Sequence, residues 1–290
     1  MKRLYLFFLM FLMQVNLYAQ EIEWAKKISI PFWNPHGMLY DNSGNVYLYG
    51  SYYRNWNIND PGQVINDTVG SFIQKYSDEG ELIFEKRWKL PFYIVKMIFD
   101  GDNAFYFTGC FAGSLNLNGV AFNSMGEYDG MVGKMDLNGN IYWVSTFGGG
   151  KSDFGMGISM YANSTNLLIT GSVADSLFVN SQYKGSEPLP MFLGIFNLNG
   201  HNIKNKLVDF IPERIHSNRG IEITCDKNNE IFVLGDREGA HWYGDTIDGP
   251  LAGRYIIKFN ENLDTLWSRY LIGPSCYNGW SNGNLVADSK

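Results

Sequence analysis

Apolar and polar residues alternate in short runs along most of the chain, and the runs come in pairs separated by polar turns. The clearest stretch is 129–158, DGMVGKMDLNGNIYWVSTFGGGKSDFGMGI. It holds two strand-like runs, a tight turn between them, and a glycine-rich link into the next run. A period of two is what a half-buried strand requires, because successive side chains point to opposite faces. The same pattern recurs. Residues 21–30 (EIEWAKKISI) predict a strand and 31–36 (PFWNPH) a loop; 37–53 then read as strand, turn, strand, and 71–88 repeat that order after a polar insert. Further copies run over 95–111 and 129–147, over 157–173 and 191–208, and over 220–236 and 254–271. The turns are built from Asp, Asn, Ser and Gly, which tolerate positive φ or bond back to the local backbone.

Two independent markers hold the register. A glycine closes the second strand of each copy at Gly50, Gly109, Gly171 and Gly235, with gaps of 59, 62 and 64. The turn before each fourth strand carries Gly80, Gly139 and Gly200, then Leu263 in the last copy, with gaps of 59, 61 and 63. Both markers drift together, so one unit of four antiparallel strands is used four times. The expected fold is all-β: a β-propeller of four-stranded blades over about 37–88, 95–147, 157–208 and 220–271. A four-stranded sheet has two apolar faces, and stacking blades around an axis covers both. Aromatics at matching places in the fourth strands, Trp24, Phe84, Trp143 and Trp267, are expected to pack between blades; the third full copy has Lys204 there. The ends are irregular. Residues 22–30 align as a lone fourth strand and 283–288 as a first strand broken off at its turn. The expectation is an incomplete propeller, either an open arc or a truncated reading frame.

Composition adds a compartment. Lys2 and Arg3 precede an apolar run of 12 residues, 4–15, and then Leu17, Tyr18 and Ala19. That reads as a signal peptide over 1–19, cleaved after Ala19, which leaves 20–290 as one exported repeat domain. The alternative is an uncleaved anchor. The run is short for a bilayer span, no cysteine lies near the cleavage point for a lipid anchor, and no later stretch predicts a membrane helix. Formal net charge is −6 over 290 residues, and −8 without Lys2 and Arg3. With no basic stripe, a nucleic-acid partner is not expected. The three cysteines, Cys110, Cys225 and Cys276, lack zinc-ligand or CxxC spacing. Cys110 and Cys225 fall in strands and read as buried small hydrophobes.

These residues resemble the SBBP-type β-propeller repeat proteins of secreted bacterial, Bacteroidota-like origin. The likeness rests on DNSGNVYLYG (41–50), on YFTGCFAGSLNLNGVAFNSMGEYDGMVGKMDLNGNIYW (106–143) and on FGGGKSDFGMGI (147–158). The third and fourth copies follow it loosely: MFLGIFNLNG lacks the Lys and RYIIKFNENL lacks the Gly. The resemblance implies secreted or surface modules, often with a C-terminal sorting domain, and no particular ligand.

Candidate chemistry is sparse. The inserts over about 51–70, 112–128, 174–190 and 237–253 share one face with the links between copies, and loops clustered on one face of a rigid scaffold make the expected binding surface. Its candidate residues are Trp33, Tyr53, Trp56, Trp242 and Trp280, which could stack on sugar rings or a partner protein, with Asp153 as the best lone acid; the alternative is that the aromatics cover blade tops and Asp153 caps a turn. DLNGN (136–140), DNSGN (41–45) and DKNNE (226–230) start like calcium loops but lack the remaining carboxylates, so turn chemistry accounts for them. The histidines His36, His201, His216 and His241 are scattered, and GxSxG, HExxH, P-loop and sialidase-type Asp-box motifs are absent. FGGGKSDFG leads into no helix, which argues against a phosphate cradle. The expectation is a non-catalytic module, without metal or cofactor, that binds a protein or glycan or serves an extracellular structural role. The sequence sets no oligomeric state. The rival is a polysaccharide hydrolase or lyase, marked by two or more carboxylates facing one another across the central funnel.

Overall fold

A computed structural model describes residues 33–52, 70–89, 92–117, 119–186, 190–208, 218–237, 253–271 and 285. The expected signal peptide and the strand expected over 22–30 lie outside the described residues. So does the strand over 283–288, except Leu285, which has no assigned secondary structure.

The described chain is all-β. The first unit holds β1 (Trp33–Tyr40), β2 (Val46–Tyr52), β3 (Gly70–Tyr76) and β4 (Leu82–Lys89). The second holds β5 (Phe92–Phe99) and β6 (Ala104–Phe111), then a small hairpin of β7 (Ser114–Leu117) and β8 (Val120–Asn123), then β9 (Asp129–Asp136) and β10 (Ile141–Gly148). The third holds β11 (Phe154–Met160) and β12 (Asn166–Ser172), a hairpin of β13 (Ser176–Val179) and β14 (Gln182–Ser186), then β15 (Met191–Asn197) and β16 (Asn202–Val208). The fourth holds β17 (Asn218–Cys225), β18 (Ile231–Arg237), β19 (Gly253–Phe259) and β20 (Thr265–Leu271). Within each unit the four principal strands pair antiparallel in chain order.

The turns explain the register. Asp41 accepts from the N–H groups of Ser43 and Asn45, Asp136 from Asn138 and Asn140, and Asp226 from Asn228 and Glu230. Asn197 and Asn260 do the same in their turns. The residue that reverses the chain sits at positive φ in each fourth-strand turn: Gly80 at 81°, Gly139 at 72°, Gly200 at 83° and Leu263 at 64°. Leu263 departs from the glycine rule because its side chain is buried in the core between the third and fourth units. That burial offsets the left-handed strain.

Two bulges recur in every unit, and the alternation of residues does not reveal them. In the first strands the register shifts between Pro35 and Gly37, Ile94 and Lys96, Gly155 and Gly157, and Gly220 and Glu222. In the fourth strands one extra residue is looped out: Ile83, Tyr142, Ile203 or Leu266. All four are exposed large hydrophobics.

Three apolar cores lie between units, and a fourth cluster, Leu48, Tyr52, Phe72 and Tyr76, belongs to the first unit. Tyr47, Tyr49 and Ile73 of the first unit pack with Ile94, Met97, Phe105 and Phe107 of the second. Tyr106, Val132 and Phe147 of the second meet Ile158, Ile169 and Phe192 of the third, with Phe147 and Phe192 stacked at 4.3 Å. Leu168, Leu193 and Ile195 meet Ile223, Val233 and Ile257 of the fourth. The first strands pack in series, β1 on β5, β5 on β11 and β11 on β17. Polar pins reinforce each junction: Lys86 donates to Asn140, Ser145 to the Gly200 carbonyl, and Lys206 to the Leu263 carbonyl.

Of the aromatics expected between units, Phe84 joins the first core, and Trp143 lies where a Cβ on Gly200 would strike it. Trp267 is 36% exposed and meets Phe232 of its own sheet. Lys204 bonds the Asn262 side chain across the last junction, which explains the missing aromatic in that copy. Two of the inserts, over 112–128 and 174–190, hold the hairpins β7–β8 and β13–β14. The β13–β14 hairpin pairs with β10, extending the second sheet to six strands.

Candidate functional site

The bulge in β1 makes His36 the extra residue of that strand, and a bulge re-aims the side chain it carries. His36 Nδ1 lies 2.7 Å from the Ile94 carbonyl oxygen. A carbonyl only accepts, so Nδ1 carries the proton and donates. Nε2 is then free to accept from Ser51 Oγ at 3.2 Å. Burial lowers the His36 pKa, so the ring is neutral at physiological pH. Ser51 is the penultimate residue of β2, directly after Gly50, the glycine that marks the register, and its side chain is buried.

These groups line a cavity of about 300 Å³ together with Asn34, Tyr93, Val95, Cys110, Tyr128 and Phe154. The lining comes from the starts of first strands β1, β5 and β11, the ends of β2 and β6, and the residue before β9. Three rings form one wall. Tyr93 and Tyr128 are 6.2 Å apart and tilted; Tyr128 and Phe154 are 5.9 Å apart and nearly parallel at 27°. All three are partly exposed. Burial pushes the Cys110 thiol up to about 12, so it lines the cavity as an unreactive small hydrophobe.

The acids beside the cavity hold its wall. Asp153 is fully buried. Its carboxylate accepts from the N–H groups of Gly149 and Ala174, both at 2.7 Å, and its own N–H donates to the Tyr128 carbonyl at 2.8 Å. Burial drives its pKa up to about 7, against the pull of those two donors; Asp129 and Asp175 push the same way. Asp129 accepts from Met125 and Gly126, and burial raises its pKa as well. Asp175 accepts from Gly150 and Ser176. The three carboxylates are spent on backbone donors, and they fix the segments that carry Tyr128 and Phe154.

A second charged feature lies among the first strands. The positions just after the bulge are Gly37, Lys96, Gly157 and Glu222. Lys96 Nζ reaches Glu222 Oε2 at 2.6 Å, tying the second unit to the fourth past the third. Glu222 is buried and its pKa is raised by that burial, with Lys96 opposing. A Cβ on Gly37 would strike the Tyr49 ring, and one on Gly157 would press on Thr170 and on the Glu222 backbone, 3.0 Å from its Cα.

Of the residues expected to bind, Asp153 is turned to the backbone rather than to a ligand. Trp33 starts β1, next to the Asn34 that lines the cavity. Tyr53, Trp56, Trp242 and Trp280 lie outside the described residues. Sequence reasoning missed His36, Ser51, Tyr93, Tyr128 and Phe154. One signal was available: Tyr128 and Phe154 each flank a buried acid, in EYDG and SDFG. Among the described residues, no group of three or more His, Cys, Asp or Glu could hold a metal, and the carboxylates of DLNGN and DNSGN serve their own turns. Among the described residues no helix is long and apolar enough to cross a membrane.

No protein family matches the chain, and no curated protein matches it. Among solved structures it is similar to the Bacillus licheniformis rhamnogalacturonan lyase PL11, with 11% identity over 82% of this chain and a TM-score of 0.30. The chain spans 53% of that enzyme's length. A likeness of that size carries no argument about fold or activity.

Proposed function

We propose that the chain is an exported repeat module of the SBBP-like β-propeller kind that acts by binding, and that the cavity at His36, Tyr93, Tyr128 and Phe154 is where it binds. In this reading the four units are blades, the first strands line the axis, and the inserts and links form the recognition face. The serial packing of β1, β5, β11 and β17 supports that arrangement. Export rests on the N-terminal segment, Lys2 to Ala19.

One observation carries the binding reading. The cavity combines an aromatic wall with a few fixed polar groups, the composition of sites that hold small ligands or the end of a larger one. The hydrolase or lyase alternative needs two carboxylates facing one space. Among the described residues the acids nearest the cavity are bound to backbone N–H groups, and Glu222 is bound to Lys96. That favours binding.

The test is a screen of oligosaccharides and peptides against the full chain by saturation-transfer NMR. The expected result is a ligand that loses affinity by about ten-fold or more in Tyr128→Ala, the usual scale for truncating an aromatic anchor. Ligands that bind Tyr128→Ala and Phe154→Ala as well as the wild type would remove the cavity from the function.

A further inference from the structure

We infer that the cavity takes a neutral saccharide, with one sugar ring laid against Tyr128 and Phe154 and its hydroxyls bonded by Asn34 and Ser51. This rests on the binding reading above and narrows it to a ligand class.

The first argument is charge. Among the described residues, no carboxylate, Lys or Arg lines the cavity. Behind the wall stand Asp129, Asp153 and Asp175, close enough for the latter two to interact with one another electrostatically. An anionic ligand such as a uronate would meet no Lys or Arg among the described lining residues to pair with. A cationic ligand would find no carboxylate among the described lining residues. The nearby ion pair, Lys96–Glu222, is already closed on itself.

The second is hydrogen-bonding capacity. His36 spends Nδ1–H on Ile94 and Nε2 on Ser51. Ser51, a lining residue, gives its proton to His36, so its hydroxyl is left with acceptor capacity only. Asn34, exposed at the cavity edge, supplies both a donor and an acceptor. Uncharged groups of both kinds suit a ligand dense in hydroxyls, each of which donates and accepts.

The third is shape. Tyr128 and Phe154 present two nearly parallel, partly exposed rings, and Tyr93 tilts in beside them. A partly exposed aromatic ring complements the C–H face of a pyranose. The rings are held by Asp129, Asp153 and the Tyr128–Ser152 bridge, so little freedom is lost on binding. About 300 Å³ is at the small end of ligand cavities, which run from roughly 300 to 1,000 Å³. It suits one or two rings of a glycan, whether a free oligosaccharide or the end of a polymer.

The experiment is isothermal titration of the full chain at physiological salt with three sets of probes: neutral gluco-, galacto-, manno- and xylo-oligosaccharides, galacturonate oligosaccharides, and aromatic or proline-rich peptides. The expected result is binding of a neutral saccharide, weakened about ten-fold in Tyr128→Ala and a few-fold in Asn34→Ala. Asn34 is exposed, so that second variant reads the site even where Tyr128→Ala misfolds. A reducing-end-blocked oligosaccharide and the matching polysaccharide separate the two sources: equal affinity means the chain end is read, and preference for the polymer means internal rings are read. Binding of uronates or peptides that depends on Tyr128, with neutral saccharides ignored, overturns the ligand class and leaves the cavity as a binding site. No neutral saccharide bound also overturns the class. Neutral saccharide bound with no loss in Tyr128→Ala, Phe154→Ala and Asn34→Ala overturns both the class and the site.

Discussion

Asp153 sits in the glycine-rich link between the second and third units, and its environment decides its chemistry. In water its carboxylate would titrate near pH 4. Here burial takes the pKa to about 7. The folded chain therefore holds this proton more tightly than the unfolded chain. Its contribution to stability is full below about pH 4, falls as pH rises toward 7, and is level above that. The urea midpoint of the wild type should fall across that window. Asp153→Asn should flatten the fall relative to wild type and lower stability by about 1–3 kcal/mol at pH 5, since one of the two buried N–H groups loses its acceptor. An unchanged slope in the variant would mean that other acids, Asp129 among them, carry the effect. Sequence reading picked out Asp153 as an acid on the loop face. It could not tell an acid offered to a ligand from one that ties Gly149 to Ala174, because that depends on a partner 21 residues away.

Strands and turns were the legible part of the fold, because each is written locally. The alternation in residues 129–147 and the Asp-initiated turns carry their own chemistry. The bulges were not legible. Each first strand begins a few residues before its expected start, and one residue beyond the period is absorbed at Pro35/Gly37 or its equivalents. An extra residue changes which side chains face the cavity, so His36 read as a scattered histidine. The register glycines show what the bulge demands. A Cβ on Gly109 would stand 1.7 Å from the Tyr93 carbonyl oxygen, and one on Gly171 1.9 Å from that of Phe154. Backbone cannot yield as a side-chain tip can. Gly109→Ala should cost about 3 kcal/mol, the upper part of the overpacking range, as read by chemical denaturation. It should also displace Tyr93, and so weaken any ligand held by the aromatic wall. A variant as stable as wild type would show that the first strand slides freely at its bulge. The fourth glycine has another reason: a Cβ at Gly235 would meet the Tyr255 ring, not the facing backbone.

At the scale of the molecule, units are joined three ways: by apolar faces, by polar pins into the next turn, and by Lys96–Glu222 across the third unit. Removing one partner from a largely buried pair leaves the other charge poorly solvated, at a cost of about 3 kcal/mol. Lys96 keeps some exposure, so Glu222→Leu should cost at most that much. The double variant Lys96→Met/Glu222→Leu should recover most of the loss, because it removes both charges and leaves neither one buried without a partner. A double-mutant cycle in thermal unfolding measures this; strict additivity would mean the pair contributes no coupling. Nothing in the linear sequence joins residues 96 and 222. The repeat register does, by placing both just after a bulge.

The β13–β14 hairpin belongs to the third copy in the chain and to the second sheet in space, where Val179 faces Phe147 and Phe178 faces Gly148. The segment that repeats along the gene is thus out of phase with the object that folds. A recombination event that swapped one copy for another would part β10 from the hairpin that borders it. At this junction a copy can be exchanged only for one whose hairpin fits, so divergence in this insert is constrained by the edge of the sheet before it, whereas the β7–β8 hairpin stays a separate two-stranded sheet.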